Sequence, residues 1–248
     1  MGFRVVIPAR YDSSRLPGKA LLPLAGKPML QWVHERARSS RASEVIVATD
    51  DERIAVAARG FAAEVAMTAR THVSGTDRIA EVARTRGWAD TDIVVNVQGD
   101  EPLIPPAIIN QVAELLAGHP RADIATLASR IDQPGDLADP NNVKVACDAG
   151  GRALYFSRAP IPWNRDAPNT TTTASLRHIG IYAYRVTALR RLAQLPASRL
   201  EQIEKLEQLR ALENGMEIRV ALAVERPLSD VNTVADLERA ERALSVRP

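Results

Sequence analysis

An α/β fold, with a mostly parallel sheet and helices on both faces, is expected from two features of this 248-residue chain. Short apolar runs rich in Val and Ile alternate with amphipathic helical stretches through its first half, the pattern of strands joined by crossover helices. The chain is also long enough to bury a sizeable core without staples. Hydrophobic residues make up 46% of it and aromatics only 4%, so Leu, Ile, Val and Ala must fill that core.

The elements follow in order. Residues 3–9 (FRVVIPA) read as a buried strand, and a polar turn, Arg10–Lys19, comes next. Residues 29–38 (MLQWVHERAR) read as a helix with Pro28 suited to its first turn. A strand at 44–50 (EVIVATD), a helix at 51–59, a short strand at 63–67 and a helix at 76–86 (TDRIAEVARTR) continue the alternation. Residues 93–102 (IVVNVQGDEP) read as a strand ending in a turn, and 106–117 as a helix. The second half is less regular. VKVAC (143–147), ALYFSR (153–158) and IGIYAYR (179–185) read as strands, and Pro160–Ser175, with its Thr170–Thr173 run, as a mobile polar loop. A helix over 199–214, a strand over 218–224 (IRVALAV) and a helix over 233–244, capped by Asn232 or Thr233, complete the chain. No internal repeat interrupts it, and residues 1–248 read as a single domain.

Charge and cysteine usage remove several function classes. The 32 basic and 30 acidic residues leave a net charge of +2, and no basic run is interleaved with aromatics, so no nucleic-acid partner is expected. The single cysteine, Cys147, can form no intrachain disulfide and belongs to no zinc-type spacing. Val143, Val145 and Ala146 beside it suggest a buried structural thiol. The chain runs directly into Phe3–Pro8 with no secretory pattern. No apolar stretch approaches the roughly 20 residues that span a bilayer. A cytoplasmic protein with no membrane partner is expected.

Ligands of open parallel sheets bind at the carboxyl ends of the strands, and three constellations fall there. The first is Pro8–Lys19, PARYDSSRLPGK. Arg10, Arg15 and Lys19 bring three cations together, and Ser13, Ser14 and Gly18 allow close backbone approach, as a phosphate cradle requires. It is neither a Walker A loop nor GxGxxG, and a solvated basic turn would have the same composition. The second is Asn96–Pro102, NVQGDEP, where a hydrophobic strand ends in Gly99 and an acidic pair. Asp100 there can hold Mg²⁺, which favours one or two carboxylates with phosphates and waters; a turn that favours Gly and Asp is the alternative. The third is Ser74–Arg78, SGTDR. Simple helix capping explains Ser74 or Thr76 as well as ligand contact does, whereas Arg78 in a first turn is no capping preference.

With these stretches in view, the chain resembles the CMP-Kdo synthetases, the 3-deoxy-manno-octulosonate cytidylyltransferases, along nearly its whole length. The matching blocks are IPARYDSSRLPGK, GKPML, VIVATDD, HVSGTDRIAE, VVNVQGDEPLI, DPNNVKV, ALYFSRAPIPW, RHIGIYAYR and LEQLR. The resemblance implies a Rossmann-like nucleotide-diphospho-sugar transferase fold with a smaller strand-rich dimerisation extension, here 150–195, and a homodimer. It implies transfer of CMP from CTP to the anomeric hydroxyl of 3-deoxy-D-manno-octulosonate (Kdo), with release of pyrophosphate, in lipopolysaccharide biosynthesis. A related acidic sugar (8-amino-Kdo or a sialic acid) is the alternative substrate, and a catalytically silent CTP-binding homologue the alternative class.

The same resemblance distributes roles. Ala9, Arg10, Arg15 and Lys19 would hold the nucleotide, with Arg10 and Lys19 on its phosphates. Ser74, Thr76, Arg78 and Gln98 would line the nucleoside pocket. Asp100 would ligate Mg²⁺ and, with Arg10 and Lys19, carry the catalysis. Arg158, His178, Tyr182, Glu207 and Gln208 would face the acidic sugar; read alone, His178 is a half-buried strand histidine, and Glu207 and Gln208 are a solvated helix face. One departure bears on the metal. The family has Val-Asp-Thr-Pro near its C-terminus, whose Asp completes the metal site, and this chain has Val231-Asn232-Thr233-Val234. Asn232 can ligate through its carbonyl oxygen, Asp230 can take over, or Asn232 can cap the following helix. Asp77 also replaces a frequent Glu.

Overall fold

A computed structural model describes residues 2–12, 16–228 and 230–245. The strands are β1 (Arg4–Ala9), β2 (Pro23–Leu24), β3 (Lys27–Pro28), β4 (Glu44–Thr49), β5 (Glu64–Met67), β6 (Ile93–Asn96), β7 (Ile124–Arg130), β8 (Lys144–Cys147), β9 (Ala153–Ser157), β10 (Leu176–Arg185) and β11 (Ile218–Leu222). The helices are α1 (Met29–Arg38), α2 (Glu52–Gly60), α3 (Gly75–Thr85), α4 (Pro106–Ala117), α5 (Pro134–Ala138), α6 (Val186–Gln194), α7 (Arg199–Glu204), α8 (Gln208–Glu213) and α9 (Val234–Ser245).

The main sheet has the order β11-β7-β10-β6-β1-β4-β5. Along this path every strand runs parallel except β10, which lies antiparallel between β6 and β7. β8 pairs with β10, and β9 hangs on β8. Within 150–195, then, β9 lies to the side, while β10 is part of the central sheet.

Period-two alternation sends side chains to two faces. Val5 and Ile7 of β1, Val47 of β4 and Val95 of β6 meet α1, α2 and α4 through Leu30, Val33, Ile54, Ile108 and Val112. Val6, Ile46 and Val94 point the other way, against Ile79 and Val82 of α3, Leu189 of α6 and Leu209 of α8. Fully burying one such aliphatic side chain stabilises by about 1.5–3 kcal/mol, so both faces hold the sheet flat against its helices. A third cluster, Leu24, Met29, Leu103, Val231 and Leu244, pins α9 over the β2–β3 hairpin and brings Asn232 back to the sheet edge.

Three points differ from the sequence expectations. The expected helix over 199–214 is two short helices, broken where Lys205 turns left-handed at φ 55° and Leu206 is buried. Arg210 clamps them together by donating from Nε to Glu201 Oε2 at 2.8 Å and from its terminal nitrogen to Oε1 at 2.5 Å. The strand expected at 179–185 begins earlier, at Leu176. β2, β3, β7, α5 and α6 received no assignment from sequence; of these, β7 and α6 complete the main sheet and its second face. Pro28 immediately precedes α1 and lies in β3. Cys147 is half-buried, and burial pushes its thiol up to about 11. No helix among the described residues is long and apolar enough to cross a membrane.

Candidate functional site

Parallel pairing carries β1, β4, β5 and β6 to one edge, where their following loops converge. The loop after β1 closes on itself: Gly18, left-handed at φ 67°, donates its backbone N–H to Tyr11 O at 3.0 Å and leads into the turn carrying Lys19. Ser13, Ser14 and Arg15 lie outside the described residues. After β6, Gly99 packs closely on β1. A Cβ there would lie 3.1 Å from Pro8 O, so a larger residue would push this turn a few tenths of an ångström away from β1.

A cavity of about 270 Å³ opens where these loops meet. Ala9, Arg10 and Lys19 form one wall, Ser74 and Arg78 another, and Gln98, Asp100 and Asn232 the third. Lys19 Nζ lies 2.5 Å from Asp100 Oδ2 and 3.3 Å from Asn232 Oδ1. Ser74 caps α3, accepting from Asp77 N at 3.1 Å, while the Asp77 carboxylate accepts from Ser74 N at 3.3 Å. The shorter acid at 77 therefore still completes a capping box. Arg78 is 4% exposed, pairs with Asp50 at 3.3 Å and also donates to Thr68. That pairing explains a buried cation in a helix's first turn.

Asn232 does not use its side chain as a helix cap. Thr233 has that role, exchanging hydrogen bonds with Asp236, while the Asn232 carboxamide points to Lys19 and donates from Nδ2 to Asp230. The oxygens of Asp100 and Asn232 thus already converge on a cation, the Lys19 ammonium. Among the described residues, no group of three or more His, Cys, Asp or Glu could by itself hold a metal. One carboxylate and one carboxamide oxygen suit Mg²⁺, which keeps waters and takes phosphate oxygens for the rest of its shell. Next to Asp100, Glu101 Oε2 is buried without a hydrogen-bond partner. Burial, then the charges of Asp100 and Asp230, push its carboxyl up to about 8.

A second cavity, about 210 Å³, adjoins the first and shares Gly75 and Gln98 with it. Tyr182, Tyr184, Glu207 and Gln208 line it, and so does Thr76, which stands here and not in the first cavity. Burial, the largest cause, raises both tyrosine hydroxyls well above their usual range, so they stay neutral donors.

Two of the residues expected to face a sugar lie elsewhere. His178 borders a third hollow, about 70 Å³, with Glu101 and Asp230. Its Nε2 lies 2.9 Å from Thr126 Oγ1, whose single hydroxyl proton is shared between the carbonyls of Ile179 and Ile181. His178 must therefore be the donor in that contact, a neutral Nε2–H imidazole. Burial, then the Arg177 charge, lower its pKa to about 3. Arg158 donates to Glu204 O at 2.8 Å and Pro140 O at 2.9 Å, apart from the first two cavities. Sequence reasoning gave no role to Asp50, His72, Asn96 and Tyr184. Asp50 ends the 44–50 run at the same sheet edge and Asn96 opens the Asn96–Pro102 stretch, which were usable signals; the other two gave none.

The sequence pattern of a family described as Cytidylyltransferase matches residues 4–218. The 3-deoxy-manno-octulosonate cytidylyltransferase of Cellvibrio japonicus is 55% identical over 99% of this chain and 99% of its own length. That of Pseudomonas syringae pv. tomato is 56% identical over 98% of each. A solved structure of CMP:2-keto-3-deoxy-manno-octonic acid synthetase complexed with CTP superposes with a TM-score of 0.91 at 43% identity, covering 99% of both chains.

Proposed function

The chain belongs to the cytidylyltransferase family, and we propose that it transfers CMP from CTP to the anomeric hydroxyl of Kdo, releasing pyrophosphate. The observation that carries this reading is the pair of adjoining cavities: one lined by Arg10, Lys19 and Asp100, the other by Tyr182, Glu207 and Gln208, with Gln98 between them. Such an arrangement suits two substrates whose reacting atoms meet at a shared wall. Relatives named for the same reaction support the choice of sugar.

In the reaction the anomeric oxygen bonds to the α-phosphorus as the bond to the pyrophosphate oxygen breaks, and the hydroxyl proton is lost to solvent. Arg10 and Lys19 bind the triphosphate and offset charge growing on its oxygens. Arg15, within the same loop sequence, adds to that set. Ala9, Ser74, Arg78 and Gln98 hold the nucleoside. Tyr182, Glu207 and Gln208 hold the sugar; Arg158 and His178, which line neither cavity, take no part in this arrangement. Mg²⁺, held by Asp100 with Asn232 or Asp230, supplies further charge neutralisation when bound. We place the product as an activated donor for lipopolysaccharide, made in the cytoplasm by a homodimer.

A pyrophosphate-release assay tests the reading. CTP with Kdo turns over, 8-amino-Kdo and sialic acids are poorer acceptors, and ATP and GTP fail to replace CTP. Equal use of ATP refutes the nucleotide assignment. Release with none of the sugar acids, from protein that still binds CTP, refutes the enzyme.

A further inference from the structure

The first turn of α3 faces two ways. Ser74 and Arg78 line the first cavity, Thr76 lines the second, and Gly75 borders both. Thr76 is 5% exposed, and its hydroxyl donates to Glu207 Oε1. On the far side of the same cavity, Asn96 is 2% exposed and accepts through Oδ1 from Gln98 Nε2 at 3.1 Å. Tyr184 lines the same cavity as both pairs.

Proton counting orders these two pairs. Thr76 has one hydroxyl proton and gives it to Glu207. The Asn96 carbonyl accepts from the Gln98 amide. The first bond fixes which Glu207 oxygen is occupied, leaving the other as an acceptor for a ligand hydroxyl. The second fixes the Gln98 amide, leaving its carbonyl as an acceptor. Neither Thr76 nor Asn96 needs to touch a ligand for this.

We propose that Thr76 and Asn96 are positioning residues, Thr76 orienting Glu207 for the acceptor sugar and Asn96 orienting Gln98 on the wall that the two cavities share. This assigns Thr76 to the acceptor half of the site and not to nucleotide binding. The proposal rests on the reading of the second cavity as the Kdo site.

The test is steady-state kinetics of Thr76→Val, Thr76→Ser and Asn96→Ala, varying CTP and Kdo separately, with a thermal melt of each. Turnover of CTP and Kdo by the wild-type protein is the first reading; its absence removes the functional assignment and this proposal with it. Given that turnover, Thr76→Val raises KM for Kdo about tenfold, the scale of a lost hydrogen bond to a charged group, with KM for CTP changed less than twofold. Thr76→Ser restores KM for Kdo. Asn96→Ala frees Gln98, which borders both cavities, and raises both KM values. A rise in KM for CTP alone in Thr76→Val overturns the proposal. So does a serine variant no better than valine at an equal melting temperature. Should Thr76→Val melt below the assay temperature, Asn96→Ala decides, and unchanged KM values there overturn the assignment.

Discussion

Asn232→Asp puts a second carboxylate where the proposed cation would bind. Two oxygens, Asp100 Oδ2 and Asn232 Oδ1, already converge on the Lys19 ammonium at 2.5 and 3.3 Å. A unit charge pair at 4 Å is worth about 4 kcal/mol at an effective dielectric of about 20, and a dication doubles that. Like-charge repulsion from Asp100 and Asp230 opposes the gain, as does loss of the Asn232 donation to Asp230, a bond to a charged group worth roughly 1.5–3 kcal/mol. A residual of about 1–2 kcal/mol in favour of the cation lowers the Mg²⁺ concentration for half-maximal rate roughly five- to thirtyfold. In the metal-free protein the same charges destabilise, and at this chain size about 2–4 °C of melting temperature is lost per kcal/mol. The assay is pyrophosphate release against Mg²⁺, with melts in chelator and in excess Mg²⁺. The expected result is a leftward shift in the titration and a melting deficit that Mg²⁺ removes. An unmoved titration refutes the reasoning. Asp230→Ala then separates two geometries: if Asp230 is the working ligand, its loss cripples the natural protein and is largely rescued by Asn232→Asp.

Asp100→Asn should reduce turnover by about 10²-fold or more while circular dichroism stays unchanged; near-normal rates at saturating Mg²⁺ would remove Asp100 from the site. His178 gives a pH dependence with a defined sign. Its pKa of about 3 lies below the ordinary 6.5, so the unfolded chain binds a proton that the folded chain refuses. Its contribution is complete above about pH 6.5 and is lost as pH falls towards 3. His178→Asn should therefore flatten the fall in melting temperature between pH 6.5 and 4.5, and identical slopes in both proteins count against the burial argument. Leu154 and Trp163, 54% and 59% exposed, supply apolar surface near the expected dimerisation segment. Light scattering should find twice the chain mass at micromolar concentration, and monomer alone contradicts the dimer.

The donor half of the site was legible in the sequence because its residues follow parallel strands directly. Arg10 and Lys19 come after β1, Ser74 and Arg78 lie at a capped helix start, and Gln98 and Asp100 come after β6. Each carried a local signal: clustered cations, a capping residue, or an acidic pair after a glycine. Thr76 shows the limit of such signals. It is two residues from the cap, yet a helix turn advances by about 100° per residue, which sends it to the neighbouring cavity. Asn232 shows the same limit. The resemblance left it a ligand, a residue replaced by Asp230 or a helix cap, and the packing of Val231 with Leu24 and Met29 aims its carboxamide at Lys19.

The acceptor half was less legible because long-range pairing builds it. β10 enters the sheet antiparallel between β6 and β7, and its register sets Tyr182 opposite Asn96. No local pattern reports a contact across that separation. The strand also slips register against β7 between Ile179 and Tyr182. Thr126 fills the irregularity, its one hydroxyl proton shared between the Ile179 and Ile181 carbonyls. Two neighbouring side chains on the strand, their ring centroids 5.2 Å apart, border different hollows: Tyr182 lines the second cavity, and His178 lines the third with Glu101. Glu207 and Gln208 are placed by an equally non-local cause. The helix breaks at Lys205, and the Arg210–Glu201 clamp fixes the angle between its halves. A continuous helix over 199–214 would leave Glu207 on a face set by helical periodicity alone; the break turns it towards Thr76 and so towards the acceptor cavity.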